Sequence, residues 1–387
     1  MTFESTRLFA LLAATAAAWT LLPPERTRLR IAVLAIASPL ALWWWLGLPV
    51  EVIAMLGAAV AWISLGLVAT RSLALRSSMI ASLLVFAPLL VWWVIGKQLI
   101  AMGEHPIDLL YFVGFSYFLV KAWTLIRDVH EGVLARPDPI VMIAYFTFFP
   151  TYISGPMHQL REFQAALDKP LALDGEAVVG VVFRILVGLL KIQLIAAVFH
   201  PMSLTALVDA DRVTLSQLVR GAFAYSVVIW ADFSGYSDLA IATSRLIGVA
   251  TPENFNRPYL APNIREFWQR WHISFSRTLT SYVFVPVSRA LGRLFGARRK
   301  LVMVVAYLVT FLICGYWHGP TTNFLAWGGF HAVGLIVFDL YRSGKKPKRG
   351  VKPSRLGRSL AIAGTFIFIS LGWILFVLPL SLLGTVR

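Results

Sequence analysis

Long apolar runs separated by short polar turns fill most of the chain. In the first half they are Leu8–Leu22, Ile31–Leu48, Val50–Thr70, Met79–Ile95, Ile107–Leu125 and Pro139–Ile153. In the second half they are Ala177–Phe199, Leu218–Val249, Leu301–Trp317, Phe324–Leu340 and Ser359–Leu383. A helix rises about 1.5 Å per residue, so each run crosses, or nearly crosses, the roughly 30 Å of hydrocarbon in a bilayer. The pattern predicts an all-α polytopic membrane protein with about 11 transmembrane helices. Ser359–Leu383 suits either one crossing or a fold back on itself. Leu8–Leu22 follows an arginine, as a signal peptide would, but Pro23-Pro24-Glu25-Arg26 is a poor cleavage site, and the run reads as a helix that stays.

Two features interrupt the pattern. Leu218–Val249 carries Asp232, Ser234, Gly235, Tyr236, Ser237 and Asp238 in its middle. Thr251–Lys300 is rich in Arg, Trp, Pro and Phe, with too many charges for a simple span. Short amphipathic or re-entrant helices, half-buried at the membrane face, are expected there. No internal repeat or soluble domain is evident. The chain reads as a single membrane domain: spans over residues 1–140, a motif-bearing core over 141–341, a basic loop over 342–358 and a last span over 359–387.

Charge orients these spans. Arg26, Arg28 and Arg30 share one loop, Arg71 and Arg76 lie two spans later, and Arg127 and Arg136 two spans later again. Basic loops stay cytoplasmic, which puts the amino terminus outside. The hairpin formed by Leu301–Trp317 and Phe324–Leu340 is basic at both ends, with Arg298, Arg299 and Lys300 before it and eight Lys or Arg residues over Arg342–Arg358 after it. Its apex, His318, therefore faces the membrane interior or the far side. The net charge of +16 follows from this topology and is no sign of nucleic-acid binding, because only 14% of residues are charged, against about a quarter in soluble domains. The single cysteine, Cys314, excludes an intrachain disulfide and a cysteine metal cluster.

His318 is the first candidate for chemistry. A polar group between two apolar runs is expensive and commonly functional. Gly319-Pro320 ends the helix directly after it, so imidazole and freed backbone groups would line a cavity. An imidazole titrates near neutrality, and with no adjacent nucleophile motif its natural role is general base toward a bound hydroxyl. His272 follows, in Phe267-Trp268-Gln269-Arg270-Trp271-His272, either as part of an interfacial aromatic anchor or as the wall of a narrow polar channel. Asp232 and Asp238 suit either an ion or proton path, or pairing with an arginine such as Arg245, Arg265 or Arg270. Metal ligation is weakly supported, since His318 and His331 lie thirteen residues apart. His105, His130 and His200 carry no assigned role. A transporter or flippase is the competing class; it would call for paired repeats and broken helices.

Several spaced motifs together resemble the membrane-bound O-acyltransferase family. They are Asp232-Phe-Ser-Gly-Tyr-Ser-Asp238, Phe255-Asn-Arg-Pro-Tyr259, Phe267 to Ser276, Tyr316-Trp317-His318-Gly319 and Trp327-Gly-Gly-Phe-His331. Phe148-Phe-Pro-Thr-Tyr-Ile-Ser-Gly-Pro156 resembles most the branch that transfers D-alanine to teichoic acids, and next the alginate O-acetylase branch. The resemblance implies a ring of helices around a central funnel, with His318 and His272 as active-site residues. It implies substrate contacts at Trp271, Arg270, Trp317, Asn323, Asp238 and Arg161, Arg161 being the one arginine after Ser-Gly-Pro that matches. It further implies an acyl donor carried as a cytoplasmic thioester, on coenzyme A or on a carrier protein's phosphopantetheine, with no bound cofactor and no metal. The acceptor would be a hydroxyl of an envelope polymer or lipid outside a bacterial inner membrane, with a secreted or membrane relay protein as a further partner. Arg342–Arg358 could dock an acidic carrier protein, or simply face anionic lipid.

Overall fold

The computed structural model describes residues 22, 26–72, 78–102, 114–169, 173–296, 298–344 and 354–386. Among these the chain is helical, and seven helices are long and apolar enough to cross a membrane. They include α1 (Thr27–Trp44), α2 (Val50–Ser72) and α3 (Ser78–Ala101), which match three of the sequence runs closely. The Leu8–Leu22 run lies outside the described residues but for its last residue, as do residues 107–113 of the Ile107–Leu125 run; α4 (Phe115–His130) holds most of the rest of the latter.

Pro139–Ile153 departs from expectation. Asp138 caps its start by accepting from the Ile140 N–H at 2.7 Å, but α5 (Pro139–Phe146) stops after two turns and only a short 3-10 turn follows, Phe149–Thr151. Pro150 explains the stop, since a proline has no N–H to give to the carbonyl four residues back, that of Phe146, and its ring would clash with it. α6 (Leu160–Asp168) then begins on a capping box between Gln159 and Glu162.

Chain contacts divide the protein into two compact units, residues 1–186 with 237–252, and residues 187–236 with 253–387. In the first, α3 packs on α4, and α1 and α2 pack on α5. Its core is aromatic: Phe115, Phe118, Tyr145, Phe146, Phe148, Phe149, Tyr152 and Phe163 are all buried. Lys121 is buried among them, donating to the Tyr145 carbonyl at 3.2 Å and resting 4.8 Å over that ring.

Two long helical segments come next in the chain. α7 (Gly175–Leu190) continues through a π-helical stretch, Lys191–Ala196, as far as Leu207. α8 (Leu215–Leu246) is a single helix of 32 residues. The polar stretch from Asp232 to Asp238 does not interrupt it, because a helix satisfies its own backbone and the polar side chains find other places. Ser234 and Ser237 are buried, and the missing Cβ of Gly235 leaves room for the Gly188 carbonyl. Asp238 pairs with Arg184 at 3.0 Å, an arginine on α7. The sequence had offered Arg245, Arg265 or Arg270 for this role; Arg184 lies inside an apolar run and was passed over.

The second unit carries the short helices expected over residues 251–300: α9 (Ile264–Arg270), α10 (Ile273–Leu279) and, after a π-helical turn at Thr280–Phe284, α11 (Val285–Phe295). The hairpin follows as α12 (Arg299–His318) and α13 (Thr322–Ser343), and α14 (Arg355–Val377) is one 23-residue helix, long enough for a single crossing. The short α15 (Leu380–Leu383) comes after it. Residues 345–353 of the basic loop lie outside the described set.

α12 and α13 make the most extensive helix contact in the protein. Glycines allow it: a Cβ on Gly315 would run into the Phe324 carbonyl, and one on Gly328 into the Phe311 carbonyl. Lipid tails are as apolar as leucine, so such close backbone approach is a main source of helix association in a bilayer. Gly315→Ala and Gly328→Ala are each expected to destabilise the protein by about 1–3 kcal/mol, as overpacking does. Thermal unfolding of the detergent-solubilised variants, followed by tryptophan fluorescence, checks this; an unchanged midpoint would disprove the tight crossing.

Candidate active site

The second unit contains a backbone break where the sequence reads Arg270-Trp271-His272. α9 starts on Asn263, whose side chain accepts from the Glu266 N–H at 2.9 Å, and it ends at Arg270. Trp271 is extended, and His272 takes a left-handed conformation with φ +44°. Left-handed backbone is uncommon outside glycine and costs of order 1 kcal/mol or more, so it persists only where its surroundings enforce it.

The enforcing residue is Asn254, which is fully buried. Its backbone carbonyl accepts from the Ile273 N–H at 2.9 Å. Its side-chain oxygen accepts from the Ser274 hydroxyl at 2.8 Å and the Ser274 N–H at 3.3 Å. Two residues on, the Asn256 N–H donates to the Arg270 carbonyl at 2.9 Å. Backbone groups released by the break are thereby satisfied by protein, a condition for irregular backbone at membrane depth. Asn254 escaped the sequence reading because a lone asparagine in a polar loop gives no signal.

His318 arrives from the other side, on the last turn of α12. Gly319 is extended and Pro320 follows, which ends the helix there as the sequence predicts. His272 and His318 then line one chamber of about 50 Å³. The rest of its wall is apolar or aromatic: Ile229 and Phe233 from α8, Trp268, Trp271 and Phe275 from the short helices, Trp327 from α13, Trp373 and Phe376 from α14. The rings are in contact: His272 lies 4.6 Å from Phe233 and 4.9 Å from Phe275, and His318 lies 5.2 Å from Trp327 and 5.0 Å from Phe376. His272, outside the seven candidate spans, is held neutral well below the ordinary imidazole range by burial, with His318 close enough to add to the effect.

The other residues implicated by sequence fall into three groups. Trp271 lines the chamber, and Trp317 packs between Phe275 at 4.4 Å and His318 at 4.8 Å. Arg270 and Asn323 belong to the same unit but serve its scaffold: Arg270 pairs with Glu266 at 2.8 Å, and the Asn323 amide donates to the Phe376 carbonyl at 3.4 Å. Asp238 and Arg161 lie in the first unit, Asp238 on Arg184 and Arg161 exposed on α6. Among the described residues no three His, Cys, Asp or Glu side chains converge as metal ligands.

A second, larger pocket of about 440 Å³ adjoins the chamber, and Trp268 forms part of both walls. It is lined by Arg265, Gln269, Ser276, Arg277, Thr280 and Ser281 from the short helices and by Tyr307, Thr310 and Phe311 from α12. Arg265, Tyr307 and Asp339 join three helices beside it. Tyr307 donates to Asp339 at 2.8 Å, Arg265 reaches Tyr307 at 3.3 Å, and Arg265 pairs directly with Asp339. The sequence reading missed Asp339, although a carboxylate inside the Phe324–Leu340 run was a signal of the kind that flagged His318.

Comparison with known proteins identifies the family to which the chain belongs. The chain is 29% identical over 280 residues to the teichoic acid D-alanyltransferase of Bacillus subtilis, covering 70% of each protein. It is 30% identical over 265 residues to a probable alginate O-acetylase of Azotobacter vinelandii, covering 68% of this chain and 50% of that one. Over 237 residues it is 33% identical to the peptidoglycan O-acetyltransferase of Helicobacter pylori, covering 60% of this chain and 42% of that one. The family model for membrane-bound O-acyltransferases matches residues 109–381, which take in the whole histidine chamber, and the chain is a member of that family, a multi-pass membrane acyltransferase.

Proposed function

We propose that this acyltransferase moves a small acyl group, D-alanyl or acetyl, from a cytoplasmic thioester to a hydroxyl of a cell-envelope polymer outside a bacterial inner membrane. The observation that carries the reading is the single small chamber walled by both His272 and His318. Its size suits a two- or three-carbon acyl group and not a fatty chain. The relatives' names supply the acceptor class: teichoic acid, alginate and peptidoglycan are all hydroxyl-bearing envelope polymers. Membership among acyltransferases leaves the transporter alternative without support.

In this reading the larger pocket beside Trp268 receives the pantetheine arm of coenzyme A or of a carrier protein. Its wall includes Arg265 and Arg277 from the basic segment before α12, the segment that the distribution of Lys and Arg marks as cytoplasmic. Arg265 and Arg277 suit the phosphate of such an arm. The thioester carbonyl then meets the acceptor in the chamber. His318 takes the acceptor's proton as general base, and the oxygen attacks the carbonyl carbon. His272, neutral and fixed by the strained backbone turn, orients the reacting groups. A secreted or membrane relay protein would carry the acyl group onward where the acceptor polymer lies farther out.

His318→Ala is expected to lower acyl transfer by about 10²–10⁴-fold while the protein remains folded. Transfer from acetyl-coenzyme A and from a D-alanyl carrier protein to envelope polymer, assayed in membranes, checks this, and near-normal turnover would remove the base role. Ser281→Trp, which narrows the larger pocket from its exposed wall, is expected to raise the donor KM by about tenfold or more, a loss of about 1.4 kcal/mol in binding. A donor KM unaffected by this change would place the thioester arm elsewhere.

A further inference from the structure

Trp268, Trp327 and Trp373 are three of the tryptophans that line the chamber, and the indole nitrogens of two of them, Trp268 and Trp327, are buried with no hydrogen-bond acceptor among the described residues. Leaving such a donor unsatisfied costs about 1–3 kcal/mol, and natural structures rarely tolerate it without a reason. At membrane depth bulk water cannot relieve the cost. The three differ in their surroundings. The Trp373 indole has the Tyr259 hydroxyl as a neighbour, and that hydroxyl donates onward to the Ser226 carbonyl at 2.6 Å. Trp268 borders both cavities. Trp327 borders the histidine chamber and is 1% exposed.

Trp327 is also held rigidly. Its ring meets His318 edge-on at 5.2 Å, Phe376 at 5.1 Å and Trp268 at 6.0 Å, and stacks on Trp373 at 6.2 Å. Its helix is fixed by the glycine crossing, since the adjacent Gly328 lies against the Phe311 carbonyl. A buried N–H on a ring fixed edge-on against the base, in a small aromatic chamber, has the properties of an oxyanion donor: preorganised, desolvated and without an acceptor among the described residues.

We infer that the Trp327 indole N–H stabilises the oxyanion of acyl transfer, an assignment that rests on the chamber being the reaction site. The acceptor oxygen attacks the thioester carbonyl carbon, and its proton passes to His318. The carbonyl π electrons move onto oxygen, which accepts the Trp327 N–H. The tetrahedral intermediate collapses, the C–S bond breaks, and the thiolate takes the proton back from His318. The products are the acylated hydroxyl and the free thiol.

The test replaces Trp327 in the full-length protein with 3-benzothienylalanine, which keeps the bicyclic shape and exchanges N–H for sulfur. The variant is assayed in proteoliposomes with acetyl-coenzyme A and D-alanyl carrier protein as donors and isolated envelope polymer as acceptor. The expected result is a fall in kcat of about 10²–10³-fold, the usual effect of one lost oxyanion donor, with donor KM and unfolding midpoint unchanged. Full kcat in the variant overturns the assignment. So does a fall in kcat that follows a fall in unfolding midpoint and is reproduced by His331→Phe, because the N–H would then serve His331, whose ring lies 4.8 Å away and whose nitrogens are likewise unpartnered among the described residues. Wild-type protein that transfers neither acyl group overturns the function itself; active wild type with an unaffected variant overturns only the role of Trp327.

Discussion

The break in helical backbone at Trp271–His272 is the constraint on which the second unit depends. In a bilayer every backbone N–H and C=O needs a partner, and a continuous helix is the simplest way to supply them. Here the chain leaves that solution, turns through a left-handed histidine and resumes a helix. The exception stands because Asn254 meets the start of the new helix with both its backbone and its side chain, and Asn256 ties back to Arg270. Without those bonds the turn would carry unsatisfied polar groups as well as a strained residue. With them, His272 is set by the main chain, so its ring position does not depend on a freely rotating linker.

The opposite wall is fixed by a different device. His318 sits at the end of a helix whose partner approaches to glycine distance, and the proline after it prevents the helix from continuing past the chamber. One histidine is thus positioned by hydrogen bonds and the other by packing. Disturbing either scaffold would displace one ring relative to the other, and general acid–base chemistry tolerates little of that.

Much of this was legible in the sequence, and the limits are physical. The apolar runs placed α1, α2, α3 and the α12–α13 hairpin, with ends shifted by up to six residues, because a span must match a hydrocarbon thickness that composition records. His318 stood out as a polar group between two such runs, with Gly319-Pro320 as its stop signal. The runs over residues 139–153 and 218–249 misled for opposite reasons. In the first, apolar content hid Pro150, which breaks the helix. In the second, polar content suggested an interruption that the helix absorbs through Gly235 and an ion pair to Arg184. Arg184, Asp339 and Asn254 act through partners distant in sequence, and no local pattern announces such pairs. The same holds for the chamber: Trp373 is an ordinary span residue, and Trp327 only part of a motif, until α13 and α14 bring them to one point.

In the proposed reaction the donor is a thioester, which water can also cleave, so an enzyme working in that way must favour transfer over hydrolysis. The chamber of about 50 Å³ has room for only a few water molecules, each of which needs roughly 10–15 Å³ of such space. Once a carbonyl group and an acceptor hydroxyl enter, no site remains from which a third nucleophile could attack. The ratio of useful transfer to wasted donor is then set by the volume that the surrounding aromatic rings leave open. A substitution that enlarged it, even one that left both histidines in place, would turn a transferase toward a thioesterase.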